Sequence, residues 1–432
     1  MSSPGVPLRQ DPDRIRRGPY KHVLLALSTA GAVGSSVIHM GTAYLLPALI
    51  NEGLPLAAAG AVVAMPAAGI VLTLIAWGWF VDRFGERAAM SIGLLVTSIA
   101  TFFAAAMSSV GPVALSLALL LAGCGAASVN SASGRVVSGW YPADKRGLAM
   151  GLRQMAQPLG AAVGAMSMPL LAHHYSVGTA LAFSGSLCLA LSALCFIGII
   201  NPPRPAKGSA DQIAASVSPY HRTGPGIPYL VRVHIASAMQ AWPQSMVGAY
   251  LLVWLLSRGF SPGNSSVIVL ISQLFGATSR ALLGHISDRV GSRIRPYRWV
   301  ATTTLSLAAV LAVTDFLMEG FGPGMNDGTA ASGGALLPVA TVLFVMLAVS
   351  AVSPNGLAFT AVAEYSGPFW SGRALGTQNT FQNIIYAATP PVAGLIVSTA
   401  GFPVMFAVTA ALPAISLVVA PRGDERREAV FD

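Results

Sequence analysis

Long apolar runs separated by short polar loops cover nearly the whole chain. A membrane-spanning helix needs about 20 mainly apolar residues. Twelve runs of about that length occur, at residues 22–47, 57–80, 88–108, 112–139, 147–172, 178–200, 229–256, 262–286, 299–318, 333–355, 373–398 and 402–420. The pattern therefore predicts an all-α integral membrane protein with about twelve transmembrane helices.

Composition supports a lipid environment. The 432 residues are 54% hydrophobic and 9% charged, whereas a soluble domain has about 25% charged residues. The three cysteines lie in apolar runs with no disulfide or metal-ligand spacing. We therefore expect membrane lipid around the protein, and no metal, cofactor or nucleic-acid partner.

The longest polar segment between the runs divides the chain into two sets of six. This segment, residues 201–228, is rich in Pro, Gly and Ser and is typical of a linker. We predict an N-terminal half at 22–200 and a C-terminal half at 229–420. The tails are residues 1–21 and 421–432, and the first lacks the pattern of a signal peptide.

The positions of Lys and Arg predict the orientation. Cytoplasmic loops carry an excess of these residues, and of the 25 in this chain only Arg258 falls in a loop predicted to face outward. This one-sided distribution predicts a multi-pass protein of the cytoplasmic membrane with both termini in the cytoplasm.

A charged decapeptide occurs twice, each time after an apolar run. Residues 78–87 read GWFVDRFGER and residues 284–293 read GHISDRVGSR. The copies agree at Gly78, Asp82, Arg83, Gly85 and Arg87, matched by Gly284, Asp288, Arg289, Gly291 and Arg293. The same offset of 206 residues relates Tyr44-Leu45-Leu46 to Tyr250-Leu251-Leu252. Parallel repeats of this kind occur in transporters that bind substrate between their halves.

The two decapeptides resemble the loop motifs after helices 2 and 8 of the major facilitator superfamily. The segment WYPADKRGLAMG, residues 140–151, resembles the loop after helix 4 of members that carry organic or inorganic anions. Two departures stand out: Leu121 occupies the place of an Arg common in helix 4, and Gln157-Pro158 matches the antiporter signature only in part.

The resemblance implies that the ten matched loop residues act as a conformational latch. The alternative is that their charges only mark the membrane boundary. Arg135 and Arg153 flank the loop between spans 4 and 5 and are further gating candidates. Snorkelling, or pairing with Asp144 or Glu364, is the alternative for these two.

Arg280 in span 8 is the leading candidate for substrate binding. Ionisable groups inside a membrane are costly and need a reason, and the repeat position of Arg280 is Leu74, so the shared scaffold does not require the charge. The resemblance implies a site for organic anions, and a guanidinium suits a carboxylate because it donates two parallel hydrogen bonds. Snorkelling to the lipid headgroups is the alternative.

Other polar residues inside the spans complete the predicted site. His39 is a candidate for proton coupling, or else a neutral histidine hydrogen-bonded between helices. Pro243 is expected to break span 7 locally. The residues predicted to line a central cavity, with a packed polar helix interface as the alternative, are Tyr44, Asn130, Gln240, Gln244, Tyr250, Gln378, Asn379 and Gln382, and Asn383 belongs to the same stripe on span 11.

These features predict a secondary active transporter and not an enzyme, because no catalytic constellation is present. We expect alternating access, a small monocarboxylate-like organic anion as substrate, coupling to protons, and a monomer. Export of drugs or metabolites by an antiporter of the same fold is the alternative, and its cue is Gln157-Pro158.

Overall fold

The computed structural model describes residues 18–141, 143–202, 218–220, 226–320 and 330–425, and every regular element in these ranges is a helix. Most of the predicted N-terminal tail (1–21) and linker (201–228), and the end of the C-terminal tail (421–432), lie outside the described residues. The predicted all-α membrane fold is confirmed.

The N-terminal half, meaning α1 to α8, contains two interrupted spans. Its elements are α1 (Tyr20–His39), a 3₁₀ helix (Gly41–Leu45), α2 (Leu46–Asn51), α3 (Leu56–Phe84), α4 (Glu86–Met107), α5 (Pro112–Trp140), α6 (Ala143–Gln154), α7 (Ala156–His174) and α8 (Val177–Gly198). The first span consists of α1, the 3₁₀ helix and α2, where Pro47 lies in the first turn of α2 and has no N–H to continue an α-helix. The fifth span is interrupted at Met155, between α6 and α7.

The C-terminal half, meaning α9 to α13, is less interrupted. Its helices are α9 (Tyr229–Ser257), α10 (Pro262–Val290), α11 (Ile294–Gly320), α12 (Ala330–Val352) and α13 (Asn355–Val419). The expected local break at Pro243 does not occur, because α9 runs unbroken through this residue. Neighbouring helices can satisfy the carbonyl groups that a proline leaves free.

The long helix α13 reverses direction twice. Its 65 residues would extend about 98 Å if straight, three times the thickness of a bilayer core. Gln382 nevertheless donates a hydrogen bond to Asn355 Oδ1 at 3.3 Å, and both Gln382 and Ser416 bond to the adjacent residues Ser237 and Ala236. One reversal lies at Gly401, where φ is +79°. The helix therefore ends span 10 and supplies spans 11 and 12.

Membrane-spanning helices occur where the apolar runs predict them. Within the described residues, ten segments are long and apolar enough to cross a membrane. One of them, residues 373–419, holds two predicted spans, and α9 adds the predicted seventh span, whose hydropathy is lowered by polar residues such as Gln240 and Gln244. The prediction of about twelve spans agrees with this arrangement.

The repeat includes four glycines at turns where the backbone has a positive φ angle. Gly53 and Gly259 have φ of +96° and +87°, and Gly85 and Gly291 have φ of +91° and +67°. Glycine adopts these angles without the steric cost that a β-carbon brings. Gly85 and Gly291 define what we call the motif end of the bundle, and Gly53 and Gly259 define the opposite end.

The halves pack closely near the opposite end. Helix α3 contacts α13, α7 contacts α10, and both α2 and the 3₁₀ helix contact α9. A β-carbon placed on Gly60 would lie 2.6 Å from Pro390 O, and one on Gly394 would lie 3.0 Å from Ala57 Cα. Such distances leave no space for a side chain, so the helices of the two halves touch backbone to backbone here.

Candidate functional site

A small cavity lies between the halves, at the centre of the bundle. Its volume is about 30 Å³, and it is bounded by spans 1, 2, 7 and 11. The polar residues in its wall are His39, Gln244, Ser245 and Tyr386. Two residues singled out in the sequence, His39 and Gln244, therefore border this cavity.

Arg280 is buried at the interface between the halves. Its side chain is 4% exposed. The guanidinium donates from Nε to Val352 O at 2.7 Å and from Nη1 to Gln154 O at 2.8 Å and Gln157 Oε1 at 3.2 Å. Nη2 has no hydrogen-bond partner, and no carboxylate of the described residues forms an ion pair with Arg280.

Both carbonyl partners of Arg280 end a helix. Gln154 is the last residue of α6, and Val352 is the last residue of α12. In a continuous helix Gln154 O would accept from the N–H of residue 158, but Pro158 has none. The partial negative charge of a helix C-terminus stabilises a cation. Interrupted spans from both halves thus hold the guanidinium without neutralising it.

Several buried polar atoms of spans 1, 7 and 11 lack hydrogen-bond partners. They include His39 Nε2, both side-chain amide atoms of Gln240 and the hydroxyl of Tyr386. The rings of His39 and Tyr386 meet edge to face with centroids 5.5 Å apart. An unpaired buried donor or acceptor costs about 1–3 kcal/mol. A polar ligand at this place would supply the missing partners.

The amide stripe of span 11 joins helices and does not line the cavity. Gln378 and Gln382 both donate to Ser237 Oγ on α9, at 3.3 and 2.5 Å. Gln378 Oε1 also contacts His234 Nδ1 at 3.3 Å. Asn355 Nδ2 donates to Gln244 Oε1 at 2.8 Å. The structure therefore supports the alternative interpretation of Gln378 and Gln382, a packed polar interface.

The other predicted lining residues have separate environments. Tyr44 accepts from Gln273 Nε2 across the half-interface at 3.2 Å, and Tyr250 donates to Pro390 O at 2.5 Å. Both rings are fully buried by packing. Asn379 donates to Leu375 O of its own helix. Asn130 is half-buried and makes no hydrogen bond within the described ranges.

The first decapeptide forms an ion-pair cluster within the N-terminal half. Arg135 on α5 pairs with Asp82, and its Nε lies 3.3 Å from the buried carboxylate of Glu86. Of the two acids suggested as alternative partners of Arg135, Glu364 pairs with Arg293 instead, and the side chain of Asp144 lies outside the described residues. Asp82 lies in the last turn of α3, Glu86 begins α4, and Arg135 lies near the end of α5, so three helices meet at this cluster.

The second decapeptide forms a similar cluster within the C-terminal half. Arg293 lies 2.5 Å from Asp288 Oδ1 and 2.9 Å from Glu364 Oε1. Burial alone would lower the pKa of Arg293, but hydrogen bonds and charge attraction from Glu364 and Asp288 outweigh it and raise that pKa above its usual value. The guanidinium therefore stays charged at any physiological pH.

The remaining motif residues lie apart from these two ion-pair clusters. Arg87 donates to Phe196 O at 2.6 Å and stacks over the Phe196 ring. Arg83 lies over Trp79 and Phe84, and Arg289 is exposed. A β-carbon on Gly78 or Gly284 would meet no atom within 4 Å, so close helix approach is not their role in this structure.

Arg153 lies at the end of α6, next to the Arg280 contact. It donates from Nε and Nη2 to Ser133 Oγ of α5 at 3.0 and 2.8 Å. It remains partly exposed. Within the described residues it pairs with no carboxylate.

Sequence reasoning missed several polar residues inside the spans. Tyr386 follows Gln378 and Gln382 at the same four-residue spacing, and that spacing was the available signal. Asp315 is fully buried and binds Arg258 Nη2 at 2.8 Å. A lone acid inside a predicted span, and a lone outward arginine, were both visible in the sequence.

The fold and the central site define a multi-pass membrane transporter. The sequence model of the Major Facilitator Superfamily matches residues 26–384. The chain belongs to the Major Facilitator Superfamily, as the loop motifs predicted. Its members are transporters and not enzymes, which confirms that prediction as well.

Individual proteins agree with this assignment. An uncharacterized MFS-type transporter of Mycobacterium tuberculosis is 39% identical, covering 93% of this chain and 86% of its own length. A probable galactarate/D-glucarate transporter of Bacillus subtilis is 22% identical over 75% of this chain and 74% of its own. The inward-facing, unoccupied crystal structure of a bacterial homolog of the human lysosomal transporter Spinster has a TM-score of 0.71 at 15% identity, covering 93% and 96% of the chains.

Proposed function

We propose that the protein carries a small organic anion across the cytoplasmic membrane, with Arg280 as the substrate-binding cation. The observation that carries the proposal is the state of this side chain. It is charged, 4% exposed and free of any carboxylate partner in the described ranges, and one of its nitrogens has no partner. A buried charge without a counter-ion is strongly unfavourable, and a carboxylate substrate would supply that counter-ion.

A distant relative supports the substrate class. The Bacillus subtilis protein described above is named for galactarate and D-glucarate, which are organic anions. The rival function, export of amphiphilic cationic drugs, is disfavoured by a fixed positive charge at the centre. Its cue, Gln157-Pro158, has another role in the structure: Gln157 accepts from Arg280, and Pro158 leaves Gln154 O free for the same guanidinium.

The position of the site between the two halves supports transport by alternating access. We propose that residues 22–200 rock against residues 229–420, and that the two loop clusters act as latches at the motif end, which faces the cytoplasm together with both termini. In this structure the ion pairs of each latch join residues of the same half. The close packing of Gly60 on Pro390 holds the two halves together near the opposite end.

Proton coupling through His39 completes the proposal. The His39 ring is 8% exposed, borders the central cavity and has an unpartnered Nε2. Histidine is the side chain that changes charge near neutral pH. A proton bound at Nε2 beside a bound anion would couple the movement of the proton to that of the anion, as in a symporter. We propose that a single chain carries out this cycle.

Substitution of Arg280 tests the proposal in proteoliposomes. We expect Arg280→Ala to abolish uptake of small organic acids, and Arg280→Lys to weaken affinity by about tenfold, because an ammonium cannot donate the fork of two hydrogen bonds. Uptake is measured for a panel of labelled mono- and dicarboxylates with and without a pH gradient.

The matched control is Arg298→Ala. Arg298 also rests on helix-terminal carbonyls, at Leu417 and Ala420, but away from the half-interface. It should leave substrate affinity within about twofold of the original. Unchanged affinity in both Arg280 variants would reject the anion site, and uptake of cationic dyes in place of acids would favour the drug exporter.

A further inference from the structure

Two side chains in the wall of the central cavity have polar atoms without a partner. His39 lies on α1 of the N-terminal half and Tyr386 on α13 of the C-terminal half, and both line the cavity. They are 8% and 5% exposed, yet His39 Nε2 and the Tyr386 hydroxyl have no hydrogen-bond partner among the described residues. Their rings contact each other edge to face. Because buried polar groups are normally hydrogen-bonded, this pair at the half-interface indicates a ligand site.

The other polar side chains in the wall already make hydrogen bonds. Ser245 Oγ donates to Tyr386 O at 3.3 Å, and Gln244 Oε1 accepts from Asn355 Nδ2 at 2.8 Å. The rest of the wall that the structure describes is apolar or glycine, and it contains no Lys, Arg, Asp or Glu. Since an anionic group is costly to bury without a cation, the cavity suits a neutral polar group.

The size and the hydrogen-bonding capacity of the cavity fit a hydroxyl. The volume is about 30 Å³, and a group of the size of water needs about 10–15 Å³, so the cavity admits part of an organic anion and not the whole of it. A hydroxyl both donates and accepts. It can accept from Tyr386, and it can donate to a neutral His39 Nε2 or accept from a protonated one. A carbonyl oxygen lacks the donor, and a methyl group lacks both functions.

Contacts of Arg280 connect it with the wall of this cavity. Arg280 Nε donates to Val352 O at 2.7 Å. Asn355 follows Val352 by three residues, a stretch of at most about 11 Å, and its side chain holds Gln244 of the wall. The binding cation of the proposed function and the cavity are therefore joined by a short set of contacts.

We infer that the substrate is a hydroxylated organic anion, whose carboxylate binds Arg280 and whose hydroxyl binds His39 and Tyr386 in the cavity. Since these two residues belong to opposite halves, both hydrogen bonds form only while the halves enclose the ligand. This inference rests on the proposed anion-transport function and deepens it, because it adds a hydroxyl to the expected monocarboxylate-like anion.

Pairs of acids that differ in one group test the inference. Butyrates with a hydroxyl on the second, third or fourth carbon are each compared with the acid in which a methyl group replaces that hydroxyl, which keeps the charge and nearly the size. Affinity for the purified protein is measured at pH 7 by the ligand-dependent rise in melting temperature, and uptake is measured in proteoliposomes. For at least one position we expect the hydroxy acid to bind about tenfold more tightly or better, because a site with buried polar groups rejects a ligand that leaves them unpaired.

Substitutions then assign the preference to the cavity. Tyr386→Phe keeps the ring that contacts His39 and removes only the hydroxyl, so it should reduce the preference for the hydroxy acid by about fivefold or more. Arg280→Gln should weaken the hydroxy acid and the methyl acid together. The matched control is Tyr297→Phe, which removes another buried hydroxyl of the same half. That hydroxyl bonds to Ser416 and lies outside the described wall of the cavity, so the control should leave the preference unchanged.

The outcomes separate the inference from the proposed function. Equal affinity of the hydroxy and methyl acids at every position overturns the hydroxyl site and leaves the anion transporter standing. A preference that survives in Tyr386→Phe, or is lost in Tyr297→Phe, also overturns it, because the cavity would then not be its source. Binding of neither class of acid rejects the proposed function, and this inference with it.

Discussion

The two halves carry the same loop motifs but hold their helices together by different means. In the N-terminal half, glycines bring backbones into contact. A β-carbon on Gly69 would overlap the carbonyl of Leu120, and one on Gly123 would overlap that of Pro66, so α3 and α5 touch along their backbones. A β-carbon on Gly125 would lie 2.6 Å from Thr97 N of α4.

The C-terminal half uses hydrogen bonds between side chains instead. A buried chain of contacts runs from Tyr220 through His234, Gln378, Ser237, Gln382 and Asn355 to Gln244. Most described glycines of this half, among them Gly248, Gly284, Gly356 and Gly376, have no atom within 4 Å of an added β-carbon.

The comparison shows that the repeat conserves the turns of the two halves but not the way in which their helices pack together. Inside a membrane, helices associate through close packing of small residues or through interhelical hydrogen bonds, because lipid gives no hydrophobic drive between them. The turn glycines and the ion-paired Asp82 and Asp288 recur at an offset of 206 residues, since both halves need the same turns. The helix interfaces have no such constraint.

The largest expected effect is that of Gly123→Ala in the N-terminal half. The new methyl group would overlap the backbone of Pro66, and backbone cannot rotate away as a side chain can. We expect a loss of about 3 kcal/mol in the free energy of unfolding, the upper end for overpacking. The measurement is a denaturation midpoint in mixed micelles.

Its control is Gly356→Ala in the C-terminal half. No atom lies within 4 Å of the added methyl, and alanine favours a helix over glycine by about 1 kcal/mol. The control should be neutral or slightly stabilising. Equal destabilisation by both substitutions would show that the halves do not differ in packing.

An intermediate effect is expected for Ser237→Ala in the C-terminal half. Ser237 accepts from both Gln378 and Gln382, so its loss leaves two buried donors without this acceptor. We expect a loss of about 1–3 kcal/mol in the free energy of unfolding, measured in the same way.

Ser35→Ala is the counterpart in the N-terminal half. Ser35 donates a single hydrogen bond, to Ala126 O at 3.1 Å, and Ala126 O stays within its own helix. Its removal should cost at most about 1 kcal/mol. A larger effect at Ser35 than at Ser237 would contradict the view that side-chain hydrogen bonds matter more in the C-terminal half.

The smallest effects concern a feature that the halves share. Asn201 Oδ1 accepts from Arg87 N at the start of α4, and Asp424 Oδ1 accepts from Arg293 N and Ile294 N at the start of α11. In each half, the segment after the sixth span returns to cap the third. We expect Asn201→Ala and Asp424→Ala each to cost about 1 kcal/mol in unfolding free energy.

Asp424→Asn sharpens this comparison. It keeps an oxygen acceptor and loses the negative charge that a helix N-terminus favours, so it should cost about 0.3–1 kcal/mol. The denaturation midpoints of Asn201→Ala, Asp424→Ala and Asp424→Asn rank the three variants by their loss of stability. A cost in one half and none in the other would show that only one of the two contacts is a true cap.

The sequence predicted the positions of the helices well, but it predicted poorly which side chains contact each other between helices. The length of an apolar run predicts a span because a chain segment inside the bilayer must form a helix to satisfy its backbone hydrogen bonds. This rule located even the seventh span, which contains Gln240 and Gln244. Partner choice is different. Glu364 was one suggested partner of Arg135, but Arg135 pairs with Asp82 and Glu86, which lie 53 and 49 positions before it in the chain.

For the candidate site, the sequence identified charges but not their surroundings. Arg280 was visible as a cation inside a span, and His39 as a titratable group. The role of Pro158 could not be predicted, because the carbonyl of Gln154 that it leaves free becomes important only when a guanidinium from another helix binds it. Tyr386 shared its spacing with Gln378 and Gln382, yet it borders the cavity while they join helices.

The sequence by itself determined the class of fold, the repeat and the presence of a positive charge in span 8. These follow from local rules of length, period and charge, which need no knowledge of neighbours. Only the tertiary structure decided which charges are neutralised, and that Arg280 rests on the carbonyls of Gln154 and Val352. Most of these contacts join residues about 50 to 130 positions apart, so no short stretch of sequence encodes them.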